Sequence, residues 1–566
     1  MASEQKTKIE RLNSRLSSLE LEYSSFLGHH KELSEYFQPR RGRFFSQDRN
    51  RGEKRNSKII NSRGTMALRT ATAGLMSGIT SPTRAWFGFE TIDPGLMEFG
   101  PVKEWIDDAE TLLREIFNQS NLYNALPTFY TEVLLFGTGF MTHVDDFADV
   151  ARFYPHTVGS YYLSQNARFV VDTAYRKSEW TTIQLVEEFG LENVSQPVKT
   201  AYDLGNYDLW FPVCHAVGPN NEYDPGRQFS KYKKFSSCYF EPGAEDKNKF
   251  LREAGFDEFP GYAARWETTG EDIYGTNCPG MTALGDVKQL QHQEKKKAQA
   301  IDKLVSPPVK GPGALKNTPV SSLPGSFTAS YADADVKLEP IYQIRINLSD
   351  LKEDVMAVER RIDEAFYVDL FKAISNMEGI QPRNQLELSQ RNEEKLLLLG
   401  PVLERLHGEV LKPLVDRTFE QAVRAGLFRP PPQELSGVPL KIRFISTLAQ
   451  AQMAVATQKI DRVAAFVGGV ATLDPSVVKK FDAHQAVDEY ARSIGAPARV
   501  VRADDLVQGM IAAEQKQQQA MQMAAMANSA ADTAQKMSKA DMGTDNVLTR
   551  TSKALAAGGV GIPGQK

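Results

Sequence analysis

The chain has 566 residues, of which 41% are hydrophobic and 24% charged, enough to bury large cores and to divide into several domains. Its formal net charge of -4 excludes a uniformly basic nucleic-acid coat, so any contact with nucleic acid must run through local patches. The three cysteines, Cys214, Cys238 and Cys278, have no CxxC spacing, which excludes a disulfide framework and a structural zinc site and fits free thiols in a reducing compartment.

The N-terminus has no apolar core of the kind a signal peptide carries. No run approaches the ~20 apolar residues that cross a bilayer, so no membrane partner is expected and the chain reads as made in a cytoplasm. From Ile9 to Phe37 apolar residues recur at alternating spacings of three and four: Leu12, Leu16, Leu19, Tyr23, Phe26, His30 and Leu33. That predicts a helix with one stripe, either packed on its own domain or paired as a coiled coil. His29 and His30 are expected on its surface.

Residues 38–69 hold ten basic residues against two acidic ones, a local charge of +8, with Phe44 and Phe45 interleaved. They read either as a contact for nucleic acid or an acidic partner, or as a solvated arm. A helix is expected over 57–79, with Trp86 and Phe87 as core anchors after it. Helices follow at 102–120 and 126–136, the second stopped by Gly137. Short strands are predicted at 140–144, 150–154, 161–163 and 169–175, a helix at 181–189, and strands at 209–217 and 238–240 joined by a long hairpin-like loop.

A helix predicted over 279–304 is polar on every face through Gln289–Lys297, as in helices that bridge subunits or line a wet space. Residues 305–340 carry six prolines and three glycines, which points to edge strands and turns. A second helix is predicted over 348–376, with an apolar stripe through Leu348, Leu351, Val355, Val358, Ile362, Ala365 and Phe366. Its other face alternates in charge, which suits packing beside copies of itself. A loop at 377–390 leads to a leucine-rich helix over 391–427, expected to kink at Gly400-Pro401 and Pro413. A strand follows at 440–445. Residues 504–539 are rich in Ala, Gln and Met, with Ala513, Gln517, Ala520, Ala524, Ala527, Ala531 and Ala534 on one seam. They read as a helix on the order of 50 Å long that needs other copies to pack on, or as a disordered tail. The Gly-rich end is expected to be disordered.

Motifs for chemistry are missing. There is no G-x-x-x-x-G-K-[ST] loop, no H-E-x-x-H, no G-x-S-x-G and no kinase set. Asp145, Asp146 and Asp149 read as a solvated loop and not as a cation site, which needs more converging oxygens. No catalytic residue, cofactor or metal is expected, and the chain is read as a non-enzyme.

Several passages nonetheless stand in a distinctive order. They are Leu135-Phe136-Gly137-Thr138-Gly139; Leu304-Val305-Ser306-Pro307-Pro308-Val309 leading into Leu323-Pro324-Gly325; Leu399-Gly400-Pro401-Val402-Leu403-Glu404-Arg405-Leu406 continuing to Lys412-Pro413-Leu414; and Ile445-Ser446-Thr447-Leu448-Ala449-Gln450-Ala451-Gln452. The chain resembles the head-to-tail connector, or portal, proteins of short-tailed bacteriophages. That resemblance implies an α+β, mainly helical subunit in a ring, usually of twelve copies, at one capsid vertex, with a channel for double-stranded DNA. Carried over by position, 1–278 is the wing, 279–304 the first stem helix and 305–347 the clip. Next come the second stem helix at 348–376, the tunnel loop at 377–390 and a kinked wing helix at 391–427. The crown is 428–503, the barrel helix 504–540 and a disordered tail 541–566.

The resemblance implies as partners the terminase large subunit, the major capsid protein and scaffold, the tail adaptor and internal core or ejection proteins. Clip residues Pro307, Pro308, Pro324 and Phe327 would face such partners. A channel wall rich in phosphate contacts would stall DNA, so a few basic rings are expected instead. Candidates are Lys295, Lys296 and Lys297 on the first helix and Arg383, Asn384 and Gln385 in the loop; equally, the lysines could balance acidic neighbours between subunits. The loop departs from the family pattern, reading Gln385-Leu386-Glu387-Leu388 where a Thr-Ala-Thr-Glu-like start is usual. The competing readings are another virion structural or scaffold protein, and a DNA-packaging enzyme.

Overall fold

The computed structural model describes residues 7–45, 57–146, 148–244, 249–305, 309–310, 339–340, 348–376, 399–445, 463–471, 474–494, 501–502 and 504–538. Helix α1 (Lys8–Phe37) starts at a capping box in which Thr7 and Glu10 bond each other's backbone. Helix α2 spans Arg63–Ile79, six residues shorter at its start than expected. The backbone N–H groups of Ile60 and Asn61 are instead taken by the side chain of Gln291, at 2.6 and 2.8 Å. Strand β1 (Phe87–Thr91), helix α3 (Gly100–Gln119) and helix α4 (Leu122–Phe136) follow. Gly137 ends α4 with φ +77°, and a Cβ there would lie 2.4 Å from the Gly275 carbonyl oxygen, so the stop needs glycine on both counts.

Strands β2 (Thr138–Asp146), β3 (Val150–His156), β4 (Tyr161–Gln165) and β5 (Val171–Thr181) lie near the expected positions. Helices α5 (Thr182–Phe189) and α6 (Gln196–Asp203) precede β6 (Trp210–Pro219) and β7 (Phe235–Phe240). The predicted hairpin-like pairing of β6 with β7 is present, Cys214 opposite Phe240 and Pro219 opposite Phe235. Strands β8 (Arg252–Phe256) and β9 (Gly261–Arg265), like α6, are additions to the sequence reading. Two antiparallel sheets result, in orders β3-β2-β9 and β4-β5-β6-β7-β8.

The apolar seam of α1 is spent inside the chain. Ile9, Leu16 and Leu19 pack with Tyr175, Cys214, Ala216 and Phe240 of the five-stranded sheet. Of the two histidines, His29 is exposed, but His30 is fully buried, with Nδ1 3.0 Å from the Tyr23 hydroxyl. His30 belongs to the seam, which corrects the surface placement. Trp86 and Phe87 are buried as expected, Trp86 stacked on Phe117 at 5.8 Å. All three cysteines are free and buried, and burial pushes the Cys214 thiol up to about 12 and that of Cys238 to about 11.

Helix α7 covers Pro279–Val305. Its first turn lies against α4: a Cβ at Gly280 would stand 2.5 Å from the Leu135 carbonyl oxygen. Short strands β10 (Val309–Lys310) and β11 (Glu339–Pro340) pair antiparallel. The single helix expected over 348–376 is two helices, α8 (Leu348–Ala365) and α9 (Val368–Asn376). Between them Tyr367 takes φ +54°, a left-handed conformation that no α-helix contains. The turn lets the Phe371 ring fill the space over Gly74 of α2, where a Cβ would sit 2.2 Å from its Cγ.

Residues 399–406 are helical and run into a wider turn at His407–Leu411, then helix α10 (Lys412–Arg424). The irregularity thus falls just before Pro413. Proline has no N–H to give the Glu409 carbonyl, and the amide of Lys412 reaches back five residues to His407. Glu409 meanwhile accepts from Arg265 N and Nε at 2.9 and 3.0 Å, which ties this turn to β9. Strand β12 (Leu440–Phe444) returns to pair with β1, Phe444 opposite Phe87. Residues 463–471 are helical, and helices α11 (Ala483–Ile494) and α12 (Asp504–Ser538) complete the described chain.

The chain divides into two compact units. One comprises Met1–Ile92, Ile106–Pro430 and Pro439–Ala496, and the other Asp93–Trp105, Pro431–Val438 and Pro497–Lys566. In the second unit the Lys103 ammonium donates to the Val501 carbonyl at 2.9 Å, and every side chain from Gln508 to Asp532 along α12 is exposed. The chain is therefore a mixed helix and sheet protein. Among the described residues no helix is long and apolar enough to cross a membrane.

Candidate nucleic-acid interface

The helix pair α7 and α8 carries the candidate lysines, and its two halves differ. In the first half of α7, Ala283, Leu284, Val287, Leu290 and Gln291 form one buried stripe at helical spacing. Val355, Val358 and Ile362 of α8 supply a matching buried stripe. The polar middle is thus not polar on every face, because Leu290 is fully buried and Gln291 nearly so. Gln291 also donates to the Asn61 carbonyl at 2.9 Å, so its amide closes three hydrogen bonds with the segment leading into α2. This latch explains the buried glutamine: a partnerless amide there would cost about 1–3 kcal/mol.

Around the latch, charges pair across the helices. Arg361 donates to Asp286 at 2.9 Å and to Gln289 at 3.3 Å. The Arg63 guanidinium grips Asp363 through two nitrogens, Nε at 2.8 Å. Asn61 reaches Glu359 at 3.0 Å, Gln293 bonds Asp354, and Lys288 stands 2.5 Å from Glu32 of α1. α7 carries five basic and three acidic residues, and α8 carries three basic and six acidic ones. The two helices therefore attract one another by net charge as well as by individual pairs.

Beyond Gln291 nothing in α7 is buried. Lys297 is half-buried and sits 3.6 Å from Glu294 one turn back, so its charge is partly spent within the helix. Lys295 and Lys296 are exposed and have no ion-pair partner among the described residues. The structure thus separates the three lysines into one balanced and two available. Arg383, Asn384 and Gln385, and Pro307, Pro308, Pro324 and Phe327, lie outside the described residues.

The basic stretch at 38–69 is also partly spent inside the chain. Arg41 pairs with Glu132, which is wholly buried and also accepts from Val158 N at 3.0 Å. Lys58 lies 2.6 Å from Glu35, and Arg63 is held by Asp363. Of the acidic trio, Asp146 caps its own turn through Ala148 N at 2.8 Å, and Asp145 sits 3.7 Å from Arg417. Sequence reasoning missed Asn61 and Gln291. The signal was present, since Gln291 continues the 283, 284, 287 spacing and a polar residue in that register needs a partner.

Residues 9–501 match the family described as bacteriophage head to tail connecting protein. A portal protein of Salmonella phage epsilon15 is 42% identical over 554 residues, covering 97% of this chain and 99% of its own length. A probable portal protein of Bordetella phage BPP-1 is 41% identical over 560 residues, covering 98% of this chain and 100% of its own. A solved chain of the virion of a native gene transfer agent particle matches at 13% identity over 72% of this chain and 90% of that one. Its TM-score of 0.27 is too low to carry an argument.

Proposed function

The chain belongs to the family of bacteriophage head to tail connecting proteins and has phage portal function, and from that premise we propose that about twelve copies close into a ring around a channel for double-stranded DNA. The observation that carries the reading is the bare half of α7. Among the described residues this half keeps a few polar contacts, such as Gln293 with Asp354, but buries no side chain, which suits a helix bordered by water and identical neighbours. In the ring, Lys295 and Lys296 of every copy form two closely spaced basic belts. Such belts touch phosphates without reading sequence, and the surrounding acidic residues keep the grip weak enough for DNA to move.

In this reading α7 and α8 are the stem and residues 305–347, with Pro307, Pro308, Pro324 and Phe327, are the clip that meets the terminase large subunit and later the tail adaptor. Residues 377–390, with Arg383, Asn384 and Gln385, are the tunnel loop. The wing meets the major capsid protein and scaffold, and the helix α12 joins its copies in a barrel that faces internal core proteins. The role is structural, with no catalytic step. Native mass spectrometry and electron microscopy of the purified protein test it. Closed rings with an open centre are expected, and a monomer or dimer under all conditions that hydrolyses ATP would overturn it.

A further inference from the structure

We propose that neighbouring copies are joined through the two ends of the five-stranded sheet, the β6–β7 loop of one copy seated in a tryptophan-lined acidic groove of the next. The proposal rests on the ring reading above and names a contact within it. The groove is an open cavity of about 510 Å³ lined by Glu179, Trp180, Gln184, Glu187, Glu188 and Trp210. Trp180 is fixed in it by stacking on Phe189 at 5.4 Å. Glu188 is held by Arg252 at 2.7 Å, whereas Glu187 is exposed and has no ion-pair partner among the described residues. Beside the groove Tyr207 and Leu209 are about half exposed, an apolar margin on which Tyr207 has the Tyr202 ring at 5.4 Å on one side.

The loop at the other end has the complementary character. Phe229 is 74% exposed at its tip, and Tyr223 is exposed beside it. Arg227 and Lys231 lie over the Tyr232 ring at 4.6 and 4.9 Å, and Lys234 is exposed. The loop is held in shape, because Asn220 donates to the carbonyls of Lys231 and Lys233 at 2.9 and 2.7 Å and Asp224 N donates to Tyr232 O at 3.1 Å. A projection with a fixed form loses little freedom on docking. An aromatic tip flanked by Lys231 and Lys234 suits a groove with indole walls and the exposed Glu187 carboxylate, through burial, cation–π contact and charge complementarity.

The register separates the two features. Thr181 stands opposite Trp210 at the groove end, and Pro219 stands opposite Phe235 at the loop end, so the length of β6, roughly 30 Å, lies between them. One chain cannot bring its own loop to its own groove. A two-fold dimer through either end would set like charge against like, whereas a head-to-tail contact joins unlike ends and can close into a ring.

The test is a charge exchange. Glu187→Lys and Lys231→Glu, each alone, are expected to lower the apparent assembly constant about tenfold or more, read as ring fraction against concentration by native mass spectrometry. Both positions are exposed, so circular dichroism should be unchanged. The double variant is expected to recover most of the ring fraction, since each neighbour then meets the reversed pair. In wild-type rings mixed from isotopically distinct chains, a carbodiimide should link Glu187 of one copy to Lys231 of another. Singles that assemble like wild type, a double no better than the worse single, or no such link each overturn the contact while leaving the ring intact. A wild-type chain that forms no ring overturns the ring reading and this contact together.

Discussion

Helices α1 and α12 have 30 and 35 residues and nearly the same alternating three-and-four seam. α1 buries Ile9, Leu16, Leu19, Tyr23, His30, Leu33 and Phe37 against its own chain, whereas α12 exposes every side chain from Gln508 to Asp532. Spacing makes a stripe in both. The size of the residues on the stripe differs, and it decides what covers it. Leucine and aromatic side chains fill a core within one chain, while alanine suits only the close approach of another helix. α7 repeats the contrast within one helix, which buries a stripe up to Gln291 and no residue beyond it.

The largest effect that separates the two classes is expected at Leu33. Leu33→Ala leaves a cavity at a fully buried site and should cost about 2–5 kcal/mol in denaturant unfolding of the monomer. The same experiment on Met523→Ala, 68% exposed, should show no change in the monomer but a lower melting temperature of the ring. Next comes the latch. Gln291→Leu removes the acceptor of Ile60 N and Asn61 N and should destabilise by about 1–3 kcal/mol, whereas Lys296→Ala should leave unfolding unchanged.

Acid should act on the packed body alone. Burial holds His30 and His215 near about 3 and keeps His143 and His156 well below the ordinary histidine value. These groups stay neutral when folded but take a proton when unfolded. Their contribution is therefore complete above about pH 6.5 and is lost as pH falls toward 3. Buried Glu110, raised to about 7, works the other way and gains stability as pH falls from about 7 toward 4.5, and burial raises Glu132, Glu258 and Asp416 in the same direction. As pH falls from about 6.5 toward 3, the melting temperature of wild type should drop relative to that of His30→Phe, which lacks one of the histidines. The smallest structural effect should follow removal of α12: a chain ending at Ala503 should still form rings, with weaker retention or release of the genome as the measured loss.

Much of this was legible in the sequence. Leu126–Phe136 followed by Gly137 announced a helix and its stop, though the helix starts four residues earlier at Leu122, and the β6–β7 pairing followed from two apolar runs flanking a polar loop. What failed was decided by distant partners. His30 was expected on the surface although its spacing from Tyr23 already put it on the seam, because its cover Phe136 reaches it only in the fold. The break at Tyr367 follows from the Phe371 ring finding Gly74, nearly three hundred residues away. β8 was missed because Gly255 and half-buried neighbours give it no alternation to detect. Of the candidate lysines, the sequence could not separate Lys297 from its neighbours, since only the helix geometry brings it to Glu294.

The most direct test of the claim that bare helices are finished by other copies is thiol labelling of Met523→Cys in monomer and ring fractions. The native cysteines are all buried, so the introduced thiol dominates the signal. Labelling should be fast in the monomer and slowed many-fold in the ring. Equal rates in both fractions would contradict the account.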